Sequence, residues 1–190
     1  YSANYSQRKA NFMYPFLRLI KEVFKFRKAP QLDFGDVHVS RHMCMPWDLD
    51  PWVELNNGRT LTLYDLGRIP LAARSGLLSV LKERGWGMTM AGACVRYRRR
   101  IRMFERIEMR SRALCWDDRF IYIEQSMWKA NGDCAGHIVY RGAFVGHDGI
   151  VSPDRIWSAL GETADRPDIP EWIVTWIAAE DMRPWPPMQD

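Results

Sequence analysis

Two carboxylates and two side-chain amides fall in the run Asp50-Pro51-Trp52-Val53-Glu54-Leu55-Asn56-Asn57, immediately ahead of Gly58. These residue types can do chemistry on a carbonyl. A carboxylate serves as base or nucleophile toward the carbon, and the oxygen's developing charge needs donors aimed at it. Asparagine caps helices, and the first N–H groups of a helix have no intrahelical acceptor. Asp50 and the N–H groups around Asn57 and Gly58 therefore offer a base and an oxyanion site side by side. Desolvation of a carboxylate in such a loop would raise its pKa toward a useful range. The same residues also admit a plain account, in which Asp before Pro forms a turn and Asn merely caps. Glu54 is either the base itself or an ion-pair partner of Arg59, with the structural pairing favoured. Asp65 and Arg68 have the spacing of an ordinary helical ion pair, which competes evenly with a site role for Asp65.

A second constellation is the basic run Cys94-Val95-Arg96-Tyr97-Arg98-Arg99-Arg100-Ile101-Arg102. On a strand, Arg96, Arg98, Arg100 and Arg102 project to one face, opposite Val95 and Tyr97. Clustered guanidiniums clamp phosphates bidentately. A solvated strand face protected from edge pairing is the competing explanation. The formal net charge of +4 suits a small polyanion and is too low for a nucleic-acid footprint. His38 and His42 lie four apart on one strand face without a third ligand, so no metal site is expected.

These residues need elements to hold them. Hydrophobic residues make up 47% of the 190-residue chain and nine are tryptophan, enough for one sizeable core. The four cysteines are scattered without metal or disulfide spacing, which points to buried, reduced thiols and a cytoplasmic setting. Residues 37–45 alternate as a strand. Apolar periodicity predicts a long helix over 58–82, kinked or broken near Pro70 and ended by Gly85 and Gly87. Strand patterns follow at 86–98, 105–116, 120–130 and 136–145, with Asn131-Gly132-Asp133 as a hairpin turn. Shorter helices are expected at 153–160 and 170–180. Near the start, Pro15 opens a basic amphipathic helix to about Arg27. Its stripe, Phe12, Phe16 and Ile20, suits packing on the body, and contact with a membrane surface is the less favoured option. The division is an N-terminal helical extension over 1–30, a central domain over 31–150 and a C-terminal helical extension over 151–190. The class is α+β, a long helix against a five-stranded antiparallel sheet. An exposed sheet edge then calls for a homodimer.

The stretch from Asp50 through Asn56-Asn57 to Leu61 resembles the opening of the hotdog-fold thioesterases, in the branch similar to 4-hydroxybenzoyl-CoA thioesterase. In that pattern an Asp is followed by a His four residues on, a pair of Asn and a helix. The resemblance covers roughly 37–145. It implies a long central helix wrapped by the sheet, dimers or tetramers with sites between subunits, and an acyl-CoA substrate with no cofactor. It places Asp50 as the catalytic or water-orienting carboxylate, Asn56 and Asn57 as the amide pair, and Asp65 as a cleft-facing helix carboxylate. Glu54 stands where the pattern has His, and Thr60 where it commonly has Tyr. Coenzyme A carries a pyrophosphate and a 3′-phosphate, which gives Arg96, Arg98 and Arg100 a ligand. The expectation is an acyl-CoA thioesterase. The alternative is a hotdog protein that binds an acyl thioester without efficient turnover. A dehydratase on the same fold would normally want a His near this loop.

Overall fold

The computed structural model describes residues 14–161 and 166–188; Phe12 lies outside them. Among the described residues five α-helices and six strands follow in the order α1 (Phe16–Phe26), β1 (His38–Met43), α2 (Asn57–Arg74), α3 (Leu77–Arg84), β2 (Gly87–Tyr97), β3 (Arg106–Trp116), β4 (Phe120–Lys129), β5 (Cys134–Gly146), β6 (Gly149–Val151), α4 (Pro153–Leu160) and α5 (Glu171–Met182). The strands form one antiparallel sheet in the order β1-β3-β4-β5-β2, with the short β6 paired to β5 as a sixth strand beyond the five expected.

Helix α2 is the axis. Leu63, Tyr64 and Leu66 on it are fully buried, and the curled sheet lies against that face. Gly67 lets the helix come close: a side chain there would meet Ser111 Oγ at 2.5 Å and Met109 Sδ at 2.7 Å. The buried Gln125 amide fastens the two layers, since its Nε2 donates to the Tyr64 carbonyl at 2.9 Å and to Ser111 Oγ at 2.7 Å. The helix expected over 58–82 with a kink or break near Pro70 runs through Pro70 and is broken a turn later, between Arg74 and Leu77. Pro70 forfeits one N–H, but the chain turns only at Gly76, whose φ of 77° a glycine adopts without strain.

On β1 the buried side is the polar one. His38, Ser40 and His42 face inward while Val39 and Arg41 are exposed. Ser40 Oγ and His42 Nε2 lie 2.8 Å apart, Arg74 Nη1 is 3.1 Å from His38 Nδ1, and the Phe26 ring meets His38 edge-on. Burial and neighbouring cations push His38 down to about 4 and His42 down to about 3.

Helix α1 forms where expected, but its apolar stripe is displayed rather than buried. Phe16 is 47%, Ile20 63% and Phe24 60% exposed. The helix is rotated because Glu22 is buried inward and Arg18 reaches across to Asp48 and the Met43 carbonyl. At the other end of the chain, α4 packs Trp157 against Trp116 and Phe34. Helix α5 buries Ile173 with Cys115, Tyr122 and Val139. Cys44 and Cys115 are buried, with thiols raised by burial to about 11 and 12. Cys94, on the mostly exposed edge strand β2, is exposed and Cys134 half-buried, so the four thiols are not uniformly interior as expected.

The two depressed imidazoles give stability a direction with pH. Unfolded histidine takes a proton near pH 6.5 while both folded rings resist it, so the unfolded state binds more protons between those values. Their contribution is complete above about pH 6.5 and is lost as pH falls toward 4 for His38 and toward 3 for His42, at up to about 1.4 kcal/mol per pH unit for each ring. Urea midpoints measured from pH 7 to pH 4 should fall, and fall less steeply in His42→Gln.

Candidate active site

The loop ahead of α2 is built around a carboxylate that the sequence reading passed over. Asp48 is completely buried, closing a 3-10 turn over Pro46–Asp48. It accepts from Arg18 Nη1 and Arg59 Nε, each at 2.7 Å, and from the Met45 N–H at 3.0 Å. One side chain thereby joins α1, the loop and the first turn of α2. Arg59 is consequently committed to Asp48, and the Glu54–Arg59 pair expected from sequence does not form. Nothing in the spacing of Asp48 marks it, because one of its partners lies thirty residues upstream.

Asp50 organises the turn that follows. Its Oδ1 accepts the Trp52 N–H at 2.9 Å and the Glu54 N–H at 3.4 Å, and its carbonyl accepts from Val53 at 3.0 Å. Val53 is held at φ 60°, a conformation a β-branched residue rarely adopts, at a cost of order 1–3 kcal/mol. The loop then runs antiparallel to the segment after β2. Leu55 N–H donates to the Ile101 carbonyl at 2.8 Å, and Glu54 bridges to Arg102. That pairing delivers Glu54 to Arg100, with Arg100 Nε 2.9 Å from Glu54 Oε2.

A cavity of about 230 Å³ opens here, lined by Glu54, Asn57, Thr60, Tyr97 and the three arginines Arg98, Arg99 and Arg100, with Leu55, Ile101, Met127, Ala135 and Gly136 as its remaining walls. Asn56 caps α2 by accepting the Arg59 N–H at 2.9 Å, while Thr60 Oγ1 turns back to the Asn56 carbonyl at 3.0 Å. The Asn57 and Gly58 N–H groups have no acceptor among the described residues. Tyr97 Oη donates to the Asn57 carbonyl at 3.2 Å, and burial raises its pKa. Tyr97 was legible in part, since alternation puts it opposite the arginines and so on the helix side.

The structure thus brings Glu54, Asn57, Thr60, Arg98 and Arg100 together and leaves other expected residues outside the lining. Asp50 and Asn56 serve the loop and the cap, and Gly58 sits at the helix mouth. Asp65 is taken by the Tyr14 hydroxyl at 2.8 Å and by Arg68, whose guanidinium lies over the Tyr140 ring. The hydrogen bond to Asp65 and, above it, burial raise Tyr14 to about 12. Strand β2 ends at Tyr97, so the arginine run does not continue on one face as expected. Arg98 and Arg99 N–H both donate to the Ala135 carbonyl, and the bend carries Arg99 into the lining while Arg96 stays on the strand. A larger hollow of about 1010 Å³ lies beside α1 and β1, among Arg18, Lys21, Arg41, Glu108 and Arg110; Met45 and Trp47 of the loop reach it, but Asp50, Glu54, Asn56 and Asn57 do not line it.

A long helix against a curled antiparallel sheet, with a polar cavity at the helix N-terminus, is the hotdog architecture. The model of the thioesterase-like superfamily matches residues 44–177, and the chain belongs to that superfamily. Protein THEM6 of Xenopus laevis is 34% identical over 169 residues, spanning 87% of this chain and 80% of that protein. Among solved structures, YbaW, a probable thioesterase from Escherichia coli, superposes with a TM-score of 0.61 at 12% identity, over 65% of this chain and 96% of its own. SAV2348 of Staphylococcus aureus, solved in complex with CoA, gives 0.57 at 9% identity, over 75% and 95%.

Asp48 should be the most costly carboxylate to alter. Asp48→Asn leaves two guanidiniums facing a neutral amide in a buried position, an expected loss of about 3–5 kcal/mol. Chemical denaturation would show it, and Asp65→Asn should cost distinctly less.

Proposed function

We propose that this chain hydrolyses acyl thioesters of coenzyme A to the free acid and the thiol. The observation that carries the reading is the cavity where Glu54, the start of α2 and Arg98–Arg100 meet. Water attacks the thioester carbonyl carbon as Glu54 takes its proton. The oxyanion forms near the unpaired N–H groups of Asn57 and Gly58, and collapse expels the thiolate, which is protonated as it leaves. Arg98, which has no acidic partner among the described residues, and Arg100 bind the phosphates of the carrier. Arg100 is largely exposed, so its pair with Glu54 is weak and a phosphate displaces the carboxylate readily. Asp50, favoured from sequence as the base, here holds the strained turn that presents Glu54. The CoA complex of the structurally similar SAV2348 supports the choice of carrier.

The Glu54–Arg100 pair also favours a second reading, in which the carboxylate stays bound to arginine and the cavity holds an acyl thioester without turning it over. Thiol release from a panel of short, long and aromatic acyl-CoAs separates the two. With the best substrate, Glu54→Gln should lower kcat by roughly 10²-fold or more, while Arg98→Ala and Arg100→Ala raise KM with a smaller effect on kcat. A 10²-fold loss in Asp50→Asn with Glu54→Gln near full activity would return the base to Asp50. No thiol release from any substrate, with CoA still bound, would establish the binding reading.

We also propose a homodimer through β2, whose residues are mostly exposed at the end of the sheet. Light scattering at micromolar concentration should give twice the chain mass, and a charged residue at Cys94 or Met90 should shift the population toward monomer.

A further inference from the structure

Helix α1 carries an apolar face that stands exposed among the described residues. Phe16, Leu17, Ile20 and Phe24 fall within an arc of about 100°, and Leu17 at 84% exposure is the most open of the four. The opposite side of the helix is held down by Leu19, Glu22 and Phe26, with Arg18 fixed to Asp48. The exposed face is therefore fixed in orientation by a buried ion pair, and cannot turn inward without stripping Asp48 of a partner.

The charges around that face have one sign. Lys21 and Lys25 border it on one side, Arg27 and Lys28 follow at the helix end, and Arg27 lies over the Phe24 ring at 3.8 Å. The helix has a single carboxylate, Glu22, which is buried and 3.6 Å from Lys25. Lys21 and Lys28 have no acidic partner among the described residues. Aromatic and aliphatic side chains rimmed by unpaired cations match an anionic phospholipid surface, where the rings enter the headgroup boundary and the ammonium groups meet phosphates. A second copy of this chain is a poorer fit, because it would bring the same cations against one another. Pairing through β2 does not cover the face either. Phe26 anchors α1 on β1, which stands at the opposite edge of the sheet from β2.

We propose that α1 docks the protein on anionic membranes, with Phe16, Leu17, Ile20 and Phe24 inserted and Lys21, Arg27 and Lys28 on the headgroups. This adds a location to the protein and does not depend on the proposed hydrolysis. Its acyl-thioester reading and its membrane reading are measured separately.

Co-sedimentation of the full chain with vesicles of phosphatidylcholine, alone and mixed with phosphatidylserine, tests the proposal. Wild type should bind the mixed vesicles in a salt-sensitive manner and the neutral ones weakly. Leu17→Glu/Phe24→Glu and Lys21→Ala/Lys28→Ala should each reduce binding about tenfold or more, with circular dichroism and thiol release from soluble acyl-CoA unchanged. All four positions are exposed, so the fold tolerates these changes. Absence of wild-type binding, equal binding to both vesicle types, or full binding by Leu17→Glu/Phe24→Glu would overturn the proposal. A smaller particle by light scattering in Leu17→Glu/Phe24→Glu without vesicles would assign the face to a second copy instead.

Discussion

The buried carboxylate of Asp48 is the constraint on which the arrangement turns. A carboxylate without solvent is tolerable only when opposite charge and hydrogen bonds surround it. Here Arg18 from α1 and Arg59 from α2 supply the charge, and the Met45 N–H supplies a further donor. Because those partners come from three separate parts of the chain, satisfying one side chain fixes the entry of α2, the path of the loop before it and the rotation of α1 together. The cavity and the exposed aromatic face are both consequences.

The loop shows how a local hydrogen-bond pattern and a distant strand share the work. Asp50 takes the N–H groups of its own turn, which keeps Val53 in a conformation it would not otherwise adopt. Backbone pairing of Leu55 and Glu54 with Ile101 and Arg102 then sets which carboxylate meets the arginines. The resemblance at the level of motif identified the superfamily. The bridge to Arg102 decided which of the two carboxylates lines the cavity.

The helix–sheet contact imposes a similar economy. Glycine in a helix interior costs roughly 0.5–1 kcal/mol relative to alanine, yet Gly67 lies where Ser111 and Met109 leave no room for a methyl group. Gln125 and Ser111 make that close contact polar, so the two layers are held by directed bonds as well as by packing. At the far side of the sheet β2 is left as an open edge, where Arg96 and the free Cys94 stand exposed.

The sequence by itself determined the elements and the class. Apolar periodicity, the Asn56 cap, the Asn131-Gly132-Asp133 turn and the four late strands are local signals, read within a window as wide as the element that they specify. With the motif from Asp50 to Asn57 they sufficed for the α+β hotdog assignment. Tertiary structure decided what no window contains. Asp48 needed Arg18 from another helix; Glu54 needed Arg100 from beyond β2; the end of β2 at Tyr97 split the arginine run between strand and cavity. The amphipathic stripe of α1 was visible as a pattern, but which face turned inward depended on a buried ion pair. Periodicity reports that a helix has two unlike faces, and only its partners determine which one is covered.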